Sequence, residues 1–459
     1  MRRFASICFF VAVGTAVATA EITPADALPA QWCISDSLLT DTADADNARW
    51  WQAFGDVTLD SLVTLARHNN YDAAAARARI DMARAAVGSA RAAYYPNLGL
   101  SASYARERTA GESYNVFSGT VTMSWEVDVF GKITAQVRQQ RAQVRLSAAE
   151  YGAVMTSLEA EVASTYVGLL SARAHLGVAR THTASQEHIV QTTEGRFESG
   201  LASKLDVAQA RTLYYSTIAS IPMLEAQIEA AVNALAVLTA VPRGELPQGV
   251  FSADTLPDYR NIVATGVPAD ILRRRPDIVE AERRVDIAGS ALGIARKEYL
   301  PSLTIQGSIG TTSHRAGDLF TSPSFTYSIA PTLSWTIFDG LSRHYAAVEA
   351  RENLRAAVDS YNMAVLNAVR EVNDAITRYG STTEYIALTR QVVENAAESV
   401  RLSVDLYRQG LTAFTNVDDA ELNYLTYENS LVTAKAQAIN ALIDLYKALG
   451  GGWQQDQTL

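Results

Sequence analysis

Apolar positions recur along this chain at two different periods, one near 3.6 and one of 2. Val144, Tyr151, Met155, Leu158, Val162, Tyr166, Leu169 and Leu176 keep steps of three, four or seven, as do Leu354, Val358, Tyr361, Val365, Val369, Val372, Ile376 and Tyr379. That spacing is one face of an α-helix. Residues 97–221 and 332–459 contain no proline, and an interior proline costs a helix about 3 kcal/mol, so both stretches can carry very long helices. Gly131 and Gly200 lie 69 residues apart; a helix filling that interval spans about 100 Å, more than an ordinary domain. Gly200 and Gly410 each stand between two helical patterns. Glycine accepts positive φ, and Ser203 or Thr415 can cap the helix that follows. The pattern predicts, twice, a long helix, a tight reversal and a return helix. Pro222 falls within the first return helix, where the second has Val432, and predicts a kink there.

After Pro96 and Pro301 the period drops to 2. Phe117, Val121, Met123, Trp125 and Val127 alternate with Ser118, Thr120, Thr122, Ser124 and Glu126; Phe325, Tyr327, Ile329, Leu333, Trp335 and Ile337 alternate with Thr326, Ser328, Ala330, Thr332, Ser334 and Thr336. Weaker partner strands occupy about 98–108 and 303–313, and polar loops, Glu107–Tyr114 and Ser313–Pro323, join each pair. These are two hairpins with one apolar and one polar face. They can lie on a soluble core, or they can cross a bilayer, for which about 9–11 tilted residues suffice. Spanning strands must close into a barrel, and the smallest such barrels have about eight strands. Four strands per chain would therefore require several copies, with the long helices continuing below as a helical barrel.

The two halves repeat. Gly200, Leu201, Val207, Ala210 and Tyr214 recur 210 residues later as Gly410, Leu411, Val417, Ala420 and Tyr424, and Ser124-Trp125 as Ser334-Trp335. Upstream the offset is 205: Ala90-Arg91, Tyr94, Pro96 and Leu98 match Ala295-Arg296, Tyr299, Pro301 and Leu303. A repeat of this kind governs the fold more than length does.

Arg2 and Arg3 precede an apolar run from Ile7 to Val17, and Ala18-Thr19-Ala20 fits a cleavage site, the form of a secretory signal over 1–20. Without it the chain has 37 basic and 49 acidic residues, a net charge of −12, which disfavours nucleic acid as a partner. Cys8 leaves with the signal; Cys33 remains and is a weak candidate for lipid attachment. Two cysteines supply neither a disulfide framework nor a thiolate zinc site. No later run of about 18–20 consecutive apolar residues predicts a helical membrane anchor.

Trp125-Glu126-Val127-Asp128-Val129-Phe130-Gly131, the segment Val267 to Asp277 with its Arg275-Pro276-Asp277, the Ala-Arg-x-x-Tyr-x-Pro element at 295–301, and Ala448-Leu449-Gly450-Gly451-Gly452-Trp453 resemble the TolC-like outer membrane efflux proteins. The resemblance runs from about Trp50 to Trp453 and is greatest to the branch serving resistance-nodulation-division (RND) pumps. It implies a mixed α and β fold: a homotrimer whose four strands per chain form a twelve-stranded barrel in the outer membrane, continuous with a long helical barrel in the periplasm. It also implies two internal repeats. The organisation is then signal 1–20, extended segment 21–49, first repeat 50–245 with a hairpin at about 97–129 and its tip at 200, linker 246–267, second repeat 268–453 with a hairpin at about 302–338 and its tip at 410, and tail 454–459. Such a chain is the passive exit duct of a tripartite efflux system, receiving drugs or other small toxic compounds from an inner-membrane RND pump through a periplasmic adaptor. The duct of a protein-secretion exporter and a soluble periplasmic coiled-coil scaffold are the alternatives.

The resemblance places adaptor contacts at the tips, with Gly200, Leu201, Lys204, Asp206, Gly410 and Leu411 as candidates, and an aperture at Asn416 and Asp419. The family commonly has two acidic residues there, so Asn416 halves the ring of carboxylates, and Thr412 stands where a charged residue is usual. A ring of Asp419 would attract cations; equally, Asp418 and Asp419 suit a helix start. Trp125 and Trp335 would sit in the interfacial aromatic belt. Arg275, Pro276 and Asp277 suit a helix N-terminus. No cofactor is expected. His175 and His182 share a helix face seven residues apart, but no carboxylate or cysteine in the sequence pattern completes a metal set, and Gly-x-Ser-x-Gly, phosphate-loop and His-Glu-x-x-His motifs are absent, so no catalysis is predicted.

Overall fold

A computed structural model describes residues 39–40, 47–253, 255–257, 263–264 and 274–451. The signal segment, Cys33, part of the 246–267 linker, Trp453 and the tail lie outside the described residues. In chain order the strands are β1 (Leu39–Thr40), β2 (Asn97–Thr109), β3 (Glu112–Val127), β4 (Val263–Ala264), β5 (Ser302–Ser313) and β6 (Phe325–Ser334). The α-helices are α1 (Val57–Asn69), α2 (Tyr71–Ala92), α3 (Lys132–Glu198), α4 (Lys204–Thr239), α5 (Gly249–Ser252), α6 (Pro276–Lys297), α7 (Ser342–Arg408) and α8 (Phe414–Ala448).

The long helices α3 and α7 have 67 residues each, about 100 Å at 1.5 Å per residue. Their return helices α4 and α8 have 36 and 35. Pro222 does not divide α4, which runs through it as one element. The helix expected ahead of the first hairpin is two helices. Asn70 ends α1 and starts α2: its side chain accepts from the amides of Asp72 and Ala73 and donates to Leu238 O of α4 at 2.9 Å.

Midway along the long helices lies the main core. Val162, Ala163, Tyr166, Leu169 and Leu170 of α3 are at most 2% exposed and share it with Leu62 and Val63 of α1, Leu235 of α4, Ile376 of α7, and Leu442, Ile443 and Leu445 of α8. Trp50 stacks on Tyr446 at 5.5 Å. Arg275 explains two of the sequence motifs at once. Its guanidinium bonds both carboxylate oxygens of Asp277 (3.0 and 2.7 Å), Glu371 (2.6 Å) and the Ala448 carbonyl (2.8 Å). Gly450 closes α8 at φ +72°, and a Cβ there would come within 3.2–3.3 Å of Arg275. The Arg-Pro-Asp element and the glycine-rich ending are thus the two sides of one joint, which fastens the start of α6 to the end of α8.

The sheet is built differently. Its order is β2-β3-β5-β6, antiparallel throughout. Register puts Leu98, Met123, Gly307 and Ile329 in one row across the four strands, and Leu100, Val121, Ile309 and Tyr327 in the next, so the apolar residues form one continuous face. The opposite face is rich in Ser and Thr, with Ser103–Ser118 and Ser308–Ser328 hydroxyls 2.7 and 2.8 Å apart. Neither face is covered by a helix: Leu100 is 81% exposed and Ile329 75%. The expected loop at Glu107–Tyr114 is only a two-residue turn, because Ala110 and Gly111 both take positive φ (53° and 89°), the geometry that lets twisted strands run on to the turn. In the second hairpin β6 ends at Ser334, short of the expected 338.

Candidate functional site

Three parts of the molecule bear on function: the helical tips, the seam between the hairpins, and the uncovered sheet. At the first tip Gly200 takes φ +72°, its N–H donates to Phe197 O (2.9 Å), and Leu201 N–H reaches Arg196 O (2.8 Å). The second tip repeats this with Gly410 at φ +76° and bonds to Tyr407 O and Leu406 O, both 2.9 Å. Paired amide bonds of this kind satisfy the last carbonyls of a helix and turn the chain. Ser203 caps α4 as expected. Its hydroxyl accepts from the Asp206 amide, and the Asp206 carboxylate accepts from the Ser203 amide and hydroxyl. Asp206 is therefore spent on a capping box, while Lys204 and Leu201 are exposed. Thr415 does not cap α8. The helix starts two residues earlier than that cap would set it, at Phe414 after Ala413, because Phe414 is buried (2%) against Tyr407.

Asn416 and Asp419 are both exposed on the first turns of α8. Asn416 Nδ2 donates to Thr412 Oγ1 at 2.6 Å, so the two departures from the family pattern contact one another. Burial and the neighbouring Asp419 charge push the Asp418 carboxyl above its usual range. The tips are tied together by Arg196, whose guanidinium donates to Arg408 O at 2.6 Å and lies 4.9 Å from the Tyr407 ring. This link was not foreseen.

Trp125 and Trp335 do equivalent work in the two hairpins. Each indole N–H donates at 3.0 Å to a carbonyl just before the first strand of its hairpin, Tyr94 O and Tyr299 O. Below them the strands pass into the long helices. Asp128 accepts from the amides of Ile133 and Thr134 (2.9 Å each), and Lys297 Nζ donates to Gly131 O at 2.8 Å. Leu341, opening α7, holds φ +70°, a strained setting for leucine.

His182 is where the histidine reading changes. Two carboxylates, Glu421 and Glu428, do meet it, from α8, but on opposite ring nitrogens, at 3.3 and 2.9 Å. They cannot converge with the ring on one ion. No group of three His, Cys, Asp or Glu among the described residues forms a metal site. His175, two turns away, is 2.7 Å from Asn429 Oδ1. Helix α4 is long and apolar enough, by length and composition, to cross a membrane although it contains no unbroken apolar run of that length, and only 11% of its most apolar stretch is buried.

An uncovered sheet with one apolar face, joined through capped junctions to helices about 100 Å long, defines a class: a membrane-seated duct with a helical extension. The sequence matches the outer membrane efflux protein family over residues 62–241 and 267–451, and the chain belongs to that family. It is 28% identical over 447 residues to the pyoverdine export outer membrane protein OpmQ of Pseudomonas aeruginosa, covering 94% of this chain and 92% of that one. It is also 28% identical over 421 residues to the toluene efflux pump outer membrane protein TtgF of Pseudomonas putida, covering 90% and 87%. Among solved structures, the outer-membrane channel OprN superposes with a TM-score of 0.85 at 28% identity, covering 93% of this chain and 98% of that one. The protein is an outer membrane efflux channel extending into the periplasm, in a family of channels rather than enzymes.

Proposed function

We propose that three copies of this chain form a twelve-stranded barrel and a helical tunnel, the exit duct of a tripartite RND-type system for small toxic compounds. The observation that carries the trimer is the sheet. Its four strands leave β2 and β6 as open edges and both faces uncovered. In a bilayer those edge amides and carbonyls need partners, which a neighbour's β2 supplies to β6. The exposed apolar surface of α4 (Tyr215 62%, Met223 65%) and of α7 (Leu366 60%, Leu388 56%) is then subunit interface. The same sheet disfavours a soluble scaffold, which would need a cover for it.

Residues 50–245 and 268–453 are read as two copies of one unit. The equal lengths of α2 and α6 (22 residues each) and of α3 and α7, and the matching glycine reversals, support this. The adaptor meets the tips, through Gly200, Leu201, Lys204, Gly410 and Leu411, with Asp206 shaping the first tip. Asn416 and Asp419 line the aperture, and Trp125 and Trp335 mark the membrane boundary. Membrane fractionation, unheated gel analysis and mass determination in detergent test the assembly. An outer-membrane species of three times the mature mass supports it, and a soluble monomer or dimer overturns it. Loss of small-compound tolerance on deleting the chain, restored by the plasmid-borne protein, supports the efflux role.

A further inference from the structure

The lower half of the helical region contains a buried charge cluster that neither the tips nor the sheet require. His182 of α3 is 2% exposed and packs against α8, so it joins a helix of the first hairpin to a helix of the second. A carboxylate faces each ring nitrogen, Glu421 at Nδ1 and Glu428 at Nε2. Both nitrogens therefore donate, which only the doubly protonated, positively charged ring can do. The carboxylates are held in turn: Ser185 Oγ donates to Glu421 at 3.1 Å, and Tyr424 OH to Glu428 at 3.1 Å, with the Tyr424 ring 4.8 Å from the imidazole. Glu421 is 1% exposed. From α8 the ionisable groups facing the ring are these two carboxylates and the Tyr424 phenol. On α3 itself Arg180 is turned to Glu225 of α4, and His175 bonds Asn429. The charges that act most strongly on His182 are those of Glu421 and Glu428.

We propose that the His182 imidazolium is a proton-dependent clasp between the two helical hairpins, and that loss of its proton lets their tip halves part. A neutral ring keeps one N–H and turns a lone pair toward the other carboxylate, so deprotonation replaces a charge-assisted bond with repulsion in a buried place. Nothing nearby takes over the bond. Gln186, one turn further along and 1% exposed, has neither amide atom partnered among the described residues, so the polar contacts left across this stretch of the seam are those of Ser185 with Glu421 and of His175 with Asn429. Burial opposes the cation, but the hydrogen bonds and charges of Glu421 and Glu428 outweigh it and raise the His182 pKa to about 9. The His182 bond lowers that of Glu428. The sign follows: a raised histidine pKa gives stabilisation that is full below the ordinary value of 6.5 and lost as pH climbs through about 9. The clasp is closed at neutral pH and released by alkali.

The test uses the purified full-length protein in planar bilayers, and so rests on the channel reading; a preparation that inserts no channels counts against that reading, whereas channels without the predicted pH step count against the clasp. Wild-type conductance is expected to rise severalfold with a midpoint near pH 9. His182→Asn, neutral at every pH, is expected to show the high conductance already at pH 7 and no step. Glu428→Gln, which keeps a hydrogen-bonding group but removes one charge, is expected to move the step down by about one pH unit, and serves if His182→Asn does not assemble. A flat wild-type titration, or a step that survives in His182→Asn, overturns the proposal.

Discussion

Helix α3 faces the second hairpin in two places, and the two are made of different material. Near the middle of the molecule it brings Val162, Tyr166, Leu169 and Leu170 to a core shared with Leu442, Ile443 and Leu445, all at most 2% exposed. Toward the tips it brings His182, Gln186 and Thr193, again at most 2% exposed, to Glu421 and the small Tyr407–Phe414–Val417 cluster. Apolar burial is additive and indifferent to pH. A buried ion cluster contributes only while its geometry and protons are in place, and a polar group buried without a partner lowers stability. One continuous helix is therefore anchored at its middle and conditionally held toward its tip, which is where local opening will concentrate.

The largest effect should come from breaking the anchored region. Leu442→Ala is expected to cost about 2–5 kcal/mol by cavity formation, read as a lower melting temperature of the whole detergent-solubilised protein; a loss under 1 kcal/mol would show that the middle is not the anchor. Next is the reverse experiment in the conditional region. Gln186→Leu removes an unpartnered buried amide and should gain about 1–2 kcal/mol locally, seen as slower hydrogen exchange in 178–198 with exchange near Leu169 unchanged. Equal slowing at both places would erase the distinction drawn above. The smallest is at the first tip: Ser203→Ala removes the α4 cap and should cost about 1 kcal/mol, as faster exchange of the 204–207 amides alone. Spread of that change to the middle would mean that the tip and anchor open together.

Much of this architecture could be read directly from residue spacing, because long helices declare themselves by period and by the absence of proline. The reversals at Gly200 and Gly410 are local and fell where glycine put them. What could not be read is what meets across more than 100 residues. The Arg275 joint to Ala448 and Gly450 spans 173 residues of chain, and Glu421 and Glu428 reach His182 from more than 230 residues away. Their seven-residue spacing does match that of His175 and His182, the one clue available beforehand. Thr415 misled because a good capping residue lost to the burial of Phe414. The Ala110-Gly111 turn was missed because alanine rarely takes positive φ, so the polar residues around it looked like a loop rather than strand ends. The proposed tip and aperture residues stood out only through likeness to a family, since exposed side chains leave no periodic trace.

The two hairpins end unequally at the side away from the helices. One closes in two residues at Ala110-Gly111, while the other carries residues 314–324, folded on itself through Asp318 O to Ser324 Oγ (2.7 Å) and presenting Phe320 at 90% exposure. In the orientation proposed above, with the helices in the periplasm, that side faces the surroundings of the cell. In the proposed assembly a phage, an antibody or a predator reaching for this protein from outside therefore meets, on each chain, one eleven-residue loop and one two-residue turn, and variation in that loop can change how the cell is recognised without touching the path its cargo takes.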